Sequence, residues 1–387
     1  MRFDNTIWHK ELLSENTVFL KGNGYSKCDI TNDGFPCILY GQLYTTYLSE
    51  IINEVYSKTP NIIKNIVYSK SNDVIIPASG ETPEDIATAC CVINTGIILG
   101  GDLNILRLSN HNGAFLSYQL NCKRKYDIAR LAVGKSIVHL HNDDLKKLVV
   151  YYPMSKEYED KVVSLLTNID NRIITQKKII EDLYALKKEI NNKYFSKISG
   201  CNIMLKDLYI KAKSGGTPRS TIKEYYNGEI PFLSISDITG SGKYINHCEK
   251  SITKLGLKNS SAWLVPKNSL ILSMYASVGI PCINNIDLAT SQAMYSMIIK
   301  EKYDIDYLYE YLIYFKNNKL KSMLETGTQS NINASIVDNI MIPFYSKEAD
   351  YCFTNLMLKY DERIENEKKI LLAYEKQKQY LLNHMFI

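Results

Sequence analysis

The residues of this chain best suited to touching an anion or the edge of a nucleobase gather in short polar loops, and the loops come in pairs. KGNGYSK (21–27) and KAKSGGTPRS (211–220) combine cations, hydroxyls and glycine. A lysine or arginine neutralises a phosphate, and glycine lets backbone N–H groups approach an oxyanion. These loops single out Lys21, Tyr25 and Lys27, and then Lys213, Thr217 and Arg219. PASGETPED (77–85) and SMYASVG (273–279) each follow an apolar run and add Ser79, Glu81 and Thr82, then Tyr275 and Ser277. GKS (134–136) and GTQSNIN (327–333) add Lys135 and Ser136, then Gln329, Ser330, Asn331 and Asn333. Amide side chains read adenine in a bidentate fashion, and Arg or Lys reads guanine. Any one of these loops is also ordinary turn chemistry; the weight lies in three of them recurring as pairs.

Signatures of catalysis are missing. AVGKS (132–136) resembles the end of a phosphate-binding P-loop, but Ala129 stands where that loop requires its first glycine. Gly22-Asn23-Gly24 has no third glycine at dinucleotide-binding spacing and reads as a turn. No nucleophile elbow, HExxH helix or kinase loop occurs. The Pro-Pro-aromatic signature of amino-methyltransferases and the PD…ExK arrangement of many nucleases are absent too. The nine cysteines include no CxxC pair, and the six histidines do not fall at ligand spacing. No metal is expected, and the thiols read as those of a reduced, cytoplasmic protein. The N-terminus MRFDNTIWHKELL lacks the layout of a signal peptide, and no apolar run reaches the roughly 18 residues of a membrane span. The expectation is a binding protein and not an enzyme.

Charge adds little. The formal net charge is +5; residues 1–150 carry 15 basic and 15 acidic side chains, and residues 199–345 carry 15 and 12. A positive surface, if there is one, must come from local arrangement. The 29 tyrosines, like the abundant Lys, Asn and Ile, fit AT-rich coding, although tyrosine also stacks on bases.

The loops must be positioned by elements, and those elements are duplicated. IDNRIITQKKIIEDLYALKKEI, from Ile169, superposes without gaps on YDERIENEKKILLAYEKQKQYL, from Tyr360, at an offset of 191. The first copy carries a heptad seam at Val162, Leu166, Ile169, Ile173, Gln176, Ile180, Leu183, Lys187, Ile190 and Tyr194. The second carries it at Phe353, Met357, Tyr360, Ile364, Glu367, Leu371, Tyr374, Lys378, Leu381 and Met385. Both seams are polar at the same two places, Gln176/Glu367 and Lys187/Lys378. Each predicted helix runs about 40 residues, hence roughly 60 Å. A stripe that long needs a partner of equal length. The two helices are therefore expected to pair antiparallel, with a globule at either end; pairing with another protein or a second copy is the alternative.

This divides the chain into residues 1–153, a first globule; 154–198, a long helix; 199–345, a second globule; and 346–387, a second long helix. Both globules read as strand-rich α/β or α+β units. FPCILYGQLYT, DVIIPAS and GIILGGDLNILRL are predicted strands of the first, with AFLSYQLNCK a short helix. IPFLSISDI, SLILSMYAS and AMYSMIIK are predicted strands of the second, with IDYLYEYLIYFKNNKLKSML a helix. Strand order does not follow from the pattern.

The order globule–helix–globule–helix, with YGQLYTTY (40–47), DVIIPASGETPEDIA (73–87), KSGGTPRSTIKEYYNGEIPFLSISDI (213–238), LILSMYASVG (270–279), TSQAMYSMI (290–298) and GTQSNIN, resembles the specificity subunits of type I restriction-modification enzymes over essentially the whole chain. GKSIVHL is a poor version of the GTQSNIN pattern. The resemblance adds Tyr40, Gln42 and Tyr44, and Ser234, Ser236 and Asp237, as DNA-contacting candidates. It implies that each globule is a target-recognition domain for one half of a bipartite, asymmetric double-stranded DNA target, with the coiled-coil helices fixing the spacer. It further implies two methyltransferase subunits docked along the helices and motor-endonuclease subunits joining for restriction. S-adenosylmethionine, ATP and Mg would then bind those partners and not this chain. A solo DNA-binding protein and an interaction scaffold of the same architecture are the competing readings.

Overall fold

The computed structural model of the chain describes residues 7–47, 49–60, 64–134, 137–197, 200–275, 277–320 and 331–387. It divides into two compact units. The first comprises the chain up to Lys178 together with Lys368–Ile387, and the second is Ile179–Glu367. Both cuts fall inside long helices, Lys156–Ser196 and Lys347–Met385, so each helix contributes one half to each unit.

The first unit is built on a five-stranded sheet, in the order Thr17–Lys21, Leu103–Leu108, Asp73–Pro77, Cys90–Val92 and Ile51–Ile52. All neighbours are antiparallel except the last pair. Asp73–Pro77 is wholly buried, so its apolar residues Val74–Pro77 form a continuous run and not an alternating one, while buried Asp73 is paired with Arg107. The helix Gly113–Cys122 has eight buried residues from Gly113 to Leu120, and Phe115, Leu116 and Tyr118 join Val74, Ile76 and Leu106 in one core. Asn112 starts that helix, its side chain accepting from the Ala114 and Phe115 N–H groups.

The second unit repeats the plan. Its sheet runs Tyr209–Ser214, Met294–Ile299, Leu270–Ser273, Pro281–Asn284 and Tyr244–Ile245, again antiparallel except for the last pair. Each unit also closes a two-stranded ribbon just before a long helix, Trp8–Leu12 with Val149–Pro153 and Cys201–Met204 with Met341–Phe344. The predicted repeat between globules is thus a repeat of strand order and direction.

The seam residues behave as the heptads require. Val162, Leu166, Ile169, Ile173, Gln176 and Ile180, and Phe353, Met357, Ile364, Glu367 and Met385, are buried, and the remaining seam positions are half-buried. Within the first unit the partners of the first helix fall as its own numbers rise: Val162 and Leu166 share a core with Leu382 and Met385, and Asp170 meets Lys378. Within the second, Lys187 pairs with Asp361 and Tyr194 stacks on Phe353 at 3.9 Å. Both descend in the sense of an antiparallel pair.

Four predicted elements differ. GIILGGDLNILRL is not one strand but two, Ile98–Leu99 and Leu103–Leu108, which enter different sheets. The strand in FPCILYGQLYT stops at Ile38, and Gln42–Thr45 is a helical turn. IPFLSISDI leaves its strand at Leu233 and enters the helix Ile235–Ser241. The cause is a capping box: Asp237 accepts from the backbone N–H of Ser234 at 2.7 Å and from its hydroxyl at 2.6 Å. The helix predicted from Ile305 is α-helical to Phe315 and turns π-helical over Lys316–Leu320.

Candidate nucleic-acid interface

In the first unit the candidate loops converge on one turn, Leu99–Leu103. Gly22 N–H donates to Leu103 O at 2.8 Å, Gly100 N–H to Ile38 O at 2.9 Å, and Ala78 N–H to Asp102 O at 2.7 Å. The turn therefore gathers the loops carrying Lys21, Tyr40 and Ser79. Glycine is required there for a steric reason: a Cβ on Gly22 would stand 1.9 Å from Gly100 O.

The second unit gathers its loops in the same place. Gly215 N–H donates to Met294 O at 3.0 Å and Gly216 N–H to Thr290 O at 2.9 Å, both at the turn before the strand Met294–Ile299. Ser291 N–H reaches Leu233 O, Met274 N–H reaches Ala293 O, and Ile332 N–H reaches Met274 O. Lys213, Ser234, Tyr275 and Asn331 thus hang from segments joined to one hub. The sequence reading assigned the loop glycines to anion approach. The structure corrects this: Gly22, Gly215 and Gly216 spend their N–H groups on protein carbonyls, and Cβ atoms on the latter two would meet Thr290 O at 2.2 Å and Ser261 Oγ at 2.1 Å.

The candidate side chains separate by what they touch. Lys21 and Lys27, and Lys213, Thr217, Arg219, Ser236 and Tyr275, are exposed. Tyr25, at 4 % exposure, lies in a small core with Cys37, Leu39 and Ile98, and Tyr40 packs on the neighbouring cluster. Gln42 accepts from Leu39 N–H at 2.9 Å and donates to Ser57 Oγ, so both ends of its amide are engaged. Ser79 is buried with its hydroxyl 3.1 Å from His139 Nδ1, a neighbour that no spacing announced. Thr82 caps the helix Pro83–Ile86 through Asp85 N–H at 3.1 Å, and Asn333 caps Ala334–Asp338 through Ile336 N–H at 3.0 Å. Ser277 gives its carbonyl to Ser273 Oγ. Asn331 is half-buried. Lys135, Ser136, Gln329 and Ser330 lie outside the described residues.

Two acidic settings stand apart. Tyr44 lines a cavity of about 350 Å³ with Glu50, Glu84 and Asp85, and burial, then Tyr40, Asp85 and exposed Glu81, hold its phenol above its ordinary value. Asp237 is buried and also accepts from Glu249 N–H at 3.0 Å. Among the described candidates, the exposed cations are Lys21 and Lys27 in one unit and Lys213 and Arg219 in the other, with Thr217, Ser236 and Tyr275 also exposed in the second.

Comparison with known proteins agrees with this geometry. Residues 202–375 match the family model described as the type I restriction modification DNA specificity domain. The chain is 31% identical over 176 residues to the type I restriction enzyme MjaIX specificity subunit of Methanocaldococcus jannaschii, covering 45% of this chain and 40% of that protein. It is 28% identical over 164 residues to the HindI specificity subunit of Haemophilus influenzae, covering 42% and 33%. The aligned stretches thus span well under half of those relatives. The fold is similar to that of the S subunit of a type I restriction-modification system from M. genitalium, with a TM-score of 0.65 at 16% identity over 99% of this chain and 97% of the other. A second structure, from work on complex assembly and conformational transition of the type I system, matches with a TM-score of 0.61 at 14% identity, over 100% and 99%.

Proposed function

We propose, from the premise that this chain belongs to the type I restriction-modification specificity-subunit family, that it reads a split DNA target for partner enzymes and catalyses nothing itself. Each unit contacts one half of a bipartite, asymmetric site, using the loops around its hub turn. The observation that carries this reading is one sheet order built twice in a single chain, each copy gathering the corresponding loops. Duplicated readers with non-identical loops suit an asymmetric target. Exposed cations fix each reader on phosphates, and side chains at the loop tips meet base edges.

The long helices serve as spacer and dock. Away from the seam they expose Ile174, Tyr184, Leu186, Leu356, Leu372 and Tyr380. Lone exposed apolar residues need no explanation, but a series along paired helices suits a protein partner. That partner would be a pair of methyltransferase subunits, joined for cleavage by motor-endonuclease subunits. S-adenosylmethionine, ATP and Mg belong to those partners, and the assembly works on cytoplasmic DNA. No helix among the described residues is long and apolar enough to cross a membrane.

The test is to express the chain with the methyltransferase encoded beside it and to map methylated bases in the host DNA. The expected result is one motif with two short specified halves around an unspecified spacer. An assembled complex that methylates a single contiguous motif, or none, would overturn the reading.

A further inference from the structure

A cluster outside the DNA-reading loops can hold a metal ion. His9 and Glu11 alternate on the strand Trp8–Leu12 and so project from the same face. His111, just before the helix Gly113–Cys122, joins them, and one donor atom from each of the three lies within 4.8 Å of the others. His111 Nε2 stands 3.2 Å from Glu11 Oε1, and His9 Nε2 stands 3.8 Å from Glu11 Oε2. Donor atoms around a tetrahedral ion with bonds of about 2.0–2.2 Å lie roughly 3.3–3.6 Å apart. The two histidines approach different oxygens of Glu11, at 3.2 and 3.8 Å, and all three donors stay within 4.8 Å of one another, so small side-chain shifts would close them around one ion.

The surroundings resemble the support that a metal site needs. His111 Nδ1 lies 2.8 Å from Glu159 Oε1, in the first turn of the first long helix, and the Glu159 side chain is 1% exposed. Glu159 Oε2 accepts from Asn112 N–H at 2.8 Å, so the carboxylate is fixed. A carboxylate on the distal nitrogen of a ligating histidine sets its tautomer and turns the other lone pair toward the ion. Here the other ring nitrogen, Nε2, faces Glu11, so an ion seated between the two would be met by both. Asn16 Nδ2 donates to Glu11 Oε2 at 2.9 Å and orients it. The His111 ring is clamped by stacking on Tyr152 at 3.5 Å.

His9 distinguishes a metal site from an ordinary ion-pair network. Its Nε2 is too far from Glu11 for a hydrogen bond, and its Nδ1 is buried without a partner. The ring is thus held beside two polar groups with no hydrogen bond of its own to lose. Its side chain is 36% exposed, which leaves an entry path for an ion and a water in the fourth position. Two imidazoles and one carboxylate favour zinc-class transition ions over magnesium or calcium.

We propose that His9, Glu11 and His111 bind one divalent transition ion, with Glu159 positioning His111, and that the ion ties the N-terminal strand to the starts of two helices. The test uses the full chain, stripped of metal and titrated with Co2+ and Zn2+. One equivalent of Co2+ should give the intense visible bands of a four-coordinate ion without thiolate-to-metal absorption, so that none of the nine cysteines is a ligand. Zn2+ should displace it, and Mg2+ in excess should not. His9→Gln alters a partly exposed ring and should abolish these bands while leaving the metal-free melting temperature unchanged. Glu159→Gln should weaken binding about 10- to 100-fold. The proposal falls if wild-type chain gives no such bands, or if they persist in both His9→Gln and Glu11→Gln.

Discussion

Arg219 and Lys213 are the residues on which DNA contact can be tested most directly. Both are exposed on segments tied to the hub turn of the second unit. Each phosphate contact releases counterions, so removing one lowers the slope of log K against log salt by about 0.9. Arg219→Ala and Lys213→Ala are each expected to weaken duplex binding by the assembled complex and to flatten that slope by nearly one. Fluorescence anisotropy across a salt series measures both effects. Should Arg219 read guanine instead, its loss would relax one position of the motif at a cost of about 1–3 kcal/mol, and the methylation map would show it. Asp237 behaves differently. Burial alone would raise its carboxyl, but hydrogen bonds from Ser234 and from Glu249 N–H outweigh this and hold it below the ordinary value of 3.8. A depressed folded-state value favours the charged form in the fold. Its stabilisation is therefore complete above the unfolded value and is lost as pH falls through the folded one. Asp237→Asn is expected to cost about 1 kcal/mol near neutrality, and the gap to wild type should close as the pH is taken below 3.8. Urea midpoints at several pH values decide this.

At the scale of elements, the lysine breaks in the two seams have a physical explanation. Lys378 lies 2.8 Å from both Glu50 and Asp170, and Asp170 also accepts from Tyr118 Oη at 2.6 Å. Its repeat counterpart Lys187 meets Asp361 and, at 3.0 Å, Glu310. Asp170 and Asp361 are themselves repeat counterparts, so the same lysine–aspartate pair forms once in each unit. Neighbouring carboxylates raise both ammonium groups despite the opposing effect of burial. Lys378→Met removes the cation from two largely buried carboxylates and is expected to destabilise the first unit by about 3 kcal/mol, read as a shift in denaturant midpoint. These helices were the most legible part of the sequence, because a seam is a local periodicity and its breaks recur at a fixed offset. The loops were legible only as locations. That Gly22 abuts Gly100, that Gln42 bonds Ser57, or that Ser79 meets His139 depends on partners distant along the chain. Capping explains Thr82, Ser234 and Asn333 as well as DNA contact would, since both uses demand a short side chain with a hydrogen-bonding oxygen. The same distance in sequence hid the His9–Glu11–His111 cluster, which exists only once the N-terminal strand lies beside the turn preceding a helix.

For the whole molecule, on the proposed reading, duplication makes the two units separable in their effect on DNA. Their sheets share strand order but not loop sequence, so exchanging residues 1–150 for the corresponding domain of another family member should alter one half of the methylated motif. The other half and the spacer should stay as they were; a change in either would show that the units do not read independently. Spacer length, on the same reading, is a separate variable carried by the helices. A heptad preserves the seam, whereas an insertion of any other small length rotates the apolar stripe away from its partner. Adding seven residues at Lys178/Ile179 and seven at Lys369/Ile370 lengthens each helix by about 10 Å. At about 3.4 Å per base pair that corresponds to roughly three more base pairs of spacer. Because three base pairs are not a full turn of DNA, the second reader would also have to follow the duplex around its axis, and activity should fall even where the longer spacer is accepted. Methylation mapping of the insertion variant separates the outcomes: a motif with the same two halves set about three base pairs farther apart supports a helical spacer, and an active variant with its original spacer excludes one.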